Sequence, residues 1–106
     1  MDAKTRALFA ARSKVIKALA HPTRLFVVDQ LSRRKTCVCD LARMVRADVS
    51  TVSKHLAVLK NAGIVQDEKR GLQVFYSLKC PCVLTFFACV KGVLKANARE
   101  QLQLVQ

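Results

Sequence analysis

At Gly63 the spacing of apolar residues changes period. Upstream, Val49, Val52, Leu56 and Leu59 recur at three, four and three residues, the repeat of one helix face. Downstream, Ile64-Val65 and Leu72 to Leu78 are β-prone and flank Lys69-Arg70-Gly71, the pattern of a hairpin turn in which Gly71 takes the positive φ. At 106 residues, helices and hairpin must share one core, which excludes multi-domain enzymes and large α/β barrels.

The rest of the chain reads as helix. Lys4 to Ala20 is rich in Ala, Leu, Lys and Arg, with an apolar stripe of Leu8, Val15, Ile16 and Leu19. His21-Pro22 ends that helix, and Pro22 opens a second that reaches about Ser32 through Leu25, Val28 and Leu31. A third runs from about Val38 to Val45. The fourth starts at a cap, Asp48 or Ser50, and stops at Ala62-Gly63. A last helix leaves Val83 for the polar tail, residues 96 to 106. This order predicts a mainly α fold with a small β-hairpin wing: a winged helix-turn-helix. Residues 1–106 are expected to form one such domain. Its outer helices, Lys4 to Ala20 and Val83 to about Ala98, carry more apolar surface than a monomer needs and are expected to form a dimer.

Charge narrows the function. Lys and Arg exceed Asp and Glu to give a net charge of +12, which points to a polyanion, nucleic acid first and a membrane surface second. The apolar stretch Val83 to Leu94 contains Thr85, Lys91 and Gly92 and is too short to span a bilayer. The early residues Arg6, Arg12, Lys14 and Lys17 interrupt any signal-peptide core, so a cytoplasmic location is expected. In a reducing cytosol the five cysteines read as metal ligands or redox groups rather than disulfides. Enzyme chemistry has little to work with: there is no Ser/His/Asp set, no paired carboxylates and no phosphate loop, and no organic cofactor is expected.

On the fourth helix Ser50, Thr51, Ser53, Lys54 and His55 lie between the buried positions. Short hydroxyls and a basic side chain suit base edges in the major groove of an operator duplex. Lys60, Lys69 and Arg70 add phosphate or minor-groove contacts. His55 can equally be a packing residue.

Four segments in order, Leu19-Ala-His-Pro-Thr-Arg-Leu25, Cys37-Val-Cys-Asp-Leu41, Ser50-Thr-Val-Ser-Lys-His-Leu56 and Leu59-Lys-Asn-Ala-Gly-Ile-Val65, resemble the ArsR/SmtB family of metal-responsive bacterial repressors. The resemblance covers about residues 15 to 78. It implies a homodimeric repressor that leaves its operator when an inducer binds. Val49 stands where the family often has Gln, which alters base preference rather than fold.

The Cys-Val-Cys-Asp-Leu motif implies an inducer among the soft ions: arsenite, antimonite, cadmium, lead or mercury. Thiolate softness supports the same choice independently. Cys37 and Cys39 are the first candidate ligands, Cys80 and Cys82 the next, and Cys89 reads more readily as a small core residue. Ala42 stands where arsenite sensors often carry a third Cys, and residues 1 to 36 hold none of the N-terminal cysteines of cadmium and lead sensors. Further ligands must therefore come from Cys80, Cys82 or Cys89, either closing the Cys37/Cys39 site or forming a second one. No His/Asp set on the last helix resembles the family's zinc site. A thiol-redox or reactive-sulfur sensor on the same fold is the alternative.

Overall fold

The computed structural model describes residues 1–105. Its order is α1 (Ala3–Leu19), α2 (Pro22–Arg33), β1 (Thr36–Cys37), α3 (Val38–Val45), α4 (Val49–Asn61), β2 (Val65–Arg70), β3 (Gln73–Leu78) and α5 (Val83–Val105). The helix boundaries follow local chemistry. The Asp2 carboxylate accepts from the Thr5 N–H at 2.7 Å and caps α1. His21 is extended (φ −154°, ψ 131°), as a residue before proline must be, and its Nδ1 accepts from the Thr23 N–H at 3.0 Å. Asp48 is the cap of α4, accepting from the Thr51 N–H at 2.9 Å. Between α3 and α4 the chain turns through Arg46, which is left-handed at φ 59°, ψ 45°.

The three strands form one antiparallel sheet in the order β1-β3-β2. Thr36 pairs with Tyr76 and Cys37 with Phe75, while β2 runs beside β3 from Val65↔Leu78 to Arg70↔Gln73. The core lies between this sheet and the inner helices. It is built from Val27, Val28 and Leu31 of α2, Leu41 of α3, and Val52, Leu56 and Leu59 of α4, closed by Ile64, Val65 and Tyr76. Val52, Leu56 and Leu59 of the repeat that marked α4 are therefore its buried face, whereas Val49, at the helix start, is exposed.

Two elements differ from expectation. The hairpin turn is Gly71-Leu72, not Lys69-Arg70-Gly71: β2 continues to Arg70 and β3 begins at Gln73. Gly71 does take a positive φ, 62°. The helical end of the chain reaches Val105, well past Ala98. Most of the α1 stripe is uncovered in one chain: Leu19 is buried, but Leu8, Val15 and Ile16 are exposed. The same holds for Phe86, Val90, Val93 and Leu94 of α5, so these two helices present a joint apolar surface. Ile16, Leu19 and Leu25 face Phe86, Val90 and Leu94 across a cleft of about 350 Å³. No described helix is long and apolar enough to cross a membrane.

Candidate functional site

Burial of Val52, Leu56 and Leu59 turns the opposite face of α4 outward. Ser50, Thr51, Ser53 and Lys54 are all exposed there. Asp48 holds the first turn in shape: beyond Thr51, its carboxylate accepts from the Ser50 hydroxyl at 3.2 Å. Hydrogen bonding by Thr51 and then Ser50 keeps Asp48 below the usual carboxylate range.

His55 is placed differently. It is half-buried, its ring 4.5 Å from that of His21 and tilted by 46°. Burial, followed by the charges of His21 and Arg24, pushes its pKa down. Of its two expected roles, packing is the one this geometry supplies. His55 ties α4 to the start of α2.

The wing carries its charge in pairs. Lys60 meets Asp67 at 3.0 Å, joining the end of α4 to β2, and this raises the lysine's pKa. Glu68 is bridged by Lys35 at 3.0 Å and by Arg70 at 3.3 Å, and these two donors hold its carboxyl low. The Arg70 guanidinium also lies 5.5 Å from the centre of the Phe75 ring. These are exposed pairs, held weakly enough for a polyanion to displace. Lys69 is exposed beside them. Lys69 and Arg70 thus stand on the hairpin, and Lys60, at the end of α4, is tied to its strand β2.

All five cysteines are free thiols. Cys37 ends β1 and precedes α3 in extended geometry (φ −79°, ψ 157°); it is buried, and Cys39, inside the first turn of α3, is exposed. Cys37 lies just before the helix and Cys39 within it, so the pair is not held by one regular helix. Both line a cleft of about 210 Å³ whose other walls are Val49 and Ser53 of α4 and Leu72, Gln73 and Val74 of the wing. Cys37 and Cys39 are the two sulfur-bearing residues of this cleft, with Ser53 and Gln73 as oxygen-bearing neighbours.

Cys80 and Cys82 line a different cleft, about 360 Å³, against Val15, Ile16, Ile64 and Phe86. The Cys80 N–H points to the Ile64 carbonyl, at the end of the sheet away from the wing tip. Within one chain, therefore, the two pairs do not converge. Cys89 is exposed on α5 rather than buried in the core. Among the described residues, no group of three or more His, Cys, Asp or Glu side chains could hold a metal ion.

Sequence reasoning missed Val49, Leu72 and Gln73 as walls of the thiol cleft. The wing packs on α3 through contacts between residues far apart in sequence, and no local spacing records that.

Helix, turn, exposed second helix and basic hairpin define a winged helix-turn-helix domain. It superposes with a TM-score of 0.79 on the homodimeric winged helix-turn-helix DNA-binding domain of Mb0332 from Mycobacterium bovis, described as "a possible ArsR-family transcriptional regulator". That match is 27% identical and covers 94% of this chain and 93% of the other. The chain belongs to the arsR family of bacterial regulatory proteins, whose sequence pattern matches residues 21–67. It is 35% identical over 79 residues to the arsenical resistance operon repressor of Bacillus subtilis, covering 74% of this chain and 75% of the relative. It is 43% identical over 67 residues to a homologue of the cadmium resistance regulatory protein CadC from Staphylococcus aureus, covering 62% and 55%. Against that protein and the SmtB repressors of Synechocystis and Mycobacterium tuberculosis, the chain spans only 54% to 64% of the relative's length.

Proposed function

We propose that this chain is a transcriptional repressor. It binds an operator duplex as a homodimer and releases it when Cys37 and Cys39 take a soft thiophilic ion: arsenite, antimonite, cadmium, lead or mercury. One observation carries the reading: the two thiols share a cleft with the start of α4 and the tip of the wing. The two cysteines thus line one cleft with the two elements that would read DNA. Relatives named for cadmium and arsenical resistance support the choice of ion.

The exposed apolar faces of α1 and α5 pack against a second copy, setting two α4 helices about 34–36 Å apart for successive major grooves. Ser50, Thr51, Ser53 and Lys54 meet base edges and backbone; Lys60, Lys69 and Arg70 meet phosphates. An ion supplies two strong bonds to sulfur. To satisfy them, Cys37 and Cys39 draw together, which shifts the first turn of α3. Leu41 of α3 shares the core with Leu56 of α4, and Cys37 is paired to Phe75 of the wing, so both DNA-facing elements follow. The coupling is reciprocal: DNA weakens ion binding by the factor the ion weakens DNA binding, typically about 1–3 kcal/mol. Cys80 and Cys82 stand apart as a separate pair beside α5.

The test is fluorescence anisotropy of a duplex selected by the reduced protein from a random library, titrated with each ion. Release by at least one ion, abolished in Cys39→Ser, is the expected result. No sequence preference, or release only by peroxide or polysulfide, overturns the reading; the latter outcome assigns the switch to thiol oxidation.

A further inference from the structure

Lys14, Lys17 and Arg24 come from two helices and meet at one cleft. It has a volume of about 450 Å³ and lies between α1, α2 and the C-terminal half of α4, where Val58 and Asn61 form its floor. No carboxylate lines it. The acids of the folded core are engaged elsewhere: Asp29 with Arg33, Asp40 with Arg43, Asp67 with Lys60, Glu68 with Lys35 and Arg70, and Asp2 and Asp48 as helix caps. Among the described residues, Lys14, Lys17 and Arg24 have no salt-bridge partner. The Arg24 Nε is also buried with no hydrogen-bond acceptor on the chain. A buried donor without an acceptor is costly, and more so when charged. Three convergent cations and one orphaned guanidinium N–H make a built anion site, and Asn61 brings an amide donor.

Its position says which anion. Val58 and Asn61 follow Lys54 on α4 by four and seven residues and so continue the same exposed stripe toward the helix C-terminus. We infer that this cleft seats a phosphate of the duplex backbone flanking the groove that α4 enters, so that α1 and α2 extend the contact beyond the helix-turn-helix and the wing. The inference rests on the DNA-binding reading above and adds Lys14, Lys17 and Arg24 to it. A guanidinium fork in a half-buried cleft fixes a phosphate in one place, whereas two flexible lysines add charge. The contact sets register and affinity without reading bases.

The experiment compares the full chain with Lys14→Gln/Lys17→Gln. Both lysines are exposed, so the variant is expected to keep the wild-type melting temperature within about 2 °C. The measurement is the affinity for the selected duplex as a function of salt. Each seated phosphate contributes about 0.9 to the slope of log K against log salt, so losing the one in each protomer's cleft lowers a dimer's slope by about 2. The relative preference for the selected duplex over random sequence stays unchanged. A wild-type slope in the variant overturns the inference while leaving the DNA-binding reading intact. An equal fall in Lys95→Gln/Arg99→Gln, on the far part of α5, reduces the effect to net charge and also overturns it. A third arm adds pyrophosphate to protein without DNA. Saturable binding that the lysine substitutions abolish, with the DNA slope untouched, assigns the cleft to a soluble phosphate compound instead. If the wild-type protein prefers no duplex at all, it is the DNA-binding reading that fails.

Discussion

Replacing Cys37 with serine separates the fold from the sensor. Cys37 occupies the N-cap of α3 with the right backbone geometry, φ −79° and ψ 157°, yet its side chain makes no capping hydrogen bond. Serine is among the preferred residues at such a position, because its hydroxyl accepts from an N–H of the first turn; the bond is worth about 1 kcal/mol. Against this stands the loss of the sulfur of a residue that is only 5% exposed, comparable to one buried methylene at about 0.8 kcal/mol. The two nearly cancel, so Cys37→Ser is expected within about 0.5 kcal/mol of wild type by urea denaturation. Cys37→Ala loses the same sulfur and gains no cap, and is expected to be about 1 kcal/mol less stable than the serine variant. In the anisotropy assay both bind the duplex as wild type does, and neither releases it on adding arsenite or cadmium. A serine variant less stable than the alanine one refutes the capping argument. A serine variant that still releases DNA at the wild-type dose refutes the assignment of the thiol.

Three further outcomes follow from particular residues. The folded Asp48 carboxyl lies below its ordinary value of 3.8, so the stability it lends is complete above that pH and fades as pH falls through the depressed folded value; Asp48→Asn should flatten this part of an acid-denaturation curve. Arg46 is left-handed, which costs a residue with a Cβ about 1 kcal/mol or more, so Arg46→Gly should raise the urea midpoint, and a lowered midpoint would show that the guanidinium side chain matters more than the strain. Phe86 sits on the exposed apolar face of α5, so Phe86→Glu should shift the protein from dimer to monomer in sedimentation velocity; an unchanged dimer would place the interface elsewhere.

The helices were legible because their signals are local. Asp48 followed by Val52, Leu56 and Leu59 states a start, a buried face and a length, and these hold, whereas Val49 of the same repeat is exposed. The pre-proline His21 marks the α1–α2 break just as plainly. The hairpin was only half legible. From Gln66 to Arg70 every residue of β2 is polar and exposed, so no alternation announces a strand, and its pairing with β3 is what makes it one. The site residues of α4 could be read from helix phase, apart from His55, whose inward turn depends on where His21 stands. Pairwise placement of the cysteines was beyond the sequence: the strand pairing that carries Cys37 to the wing leaves Cys80 at the other end of the sheet. The cleft of Lys14, Lys17 and Arg24 had a faint signal, since residues 3 to 28 hold six Lys or Arg and no acid. Only the crossing of α1 and α2 turns that excess into a place.

The borders of the small sheet govern how far this molecule can self-associate. One border is β1, only two residues long, and the other is β2, whose outer run is Gln66-Asp67-Glu68-Lys69-Arg70. A stub and a charged fringe both discourage strand-to-strand growth into filaments. In the proposed dimer, pairing about a two-fold axis uses up the apolar flank of α1 and α5. Assembly then closes at two copies, and both hairpins stay open to solvent.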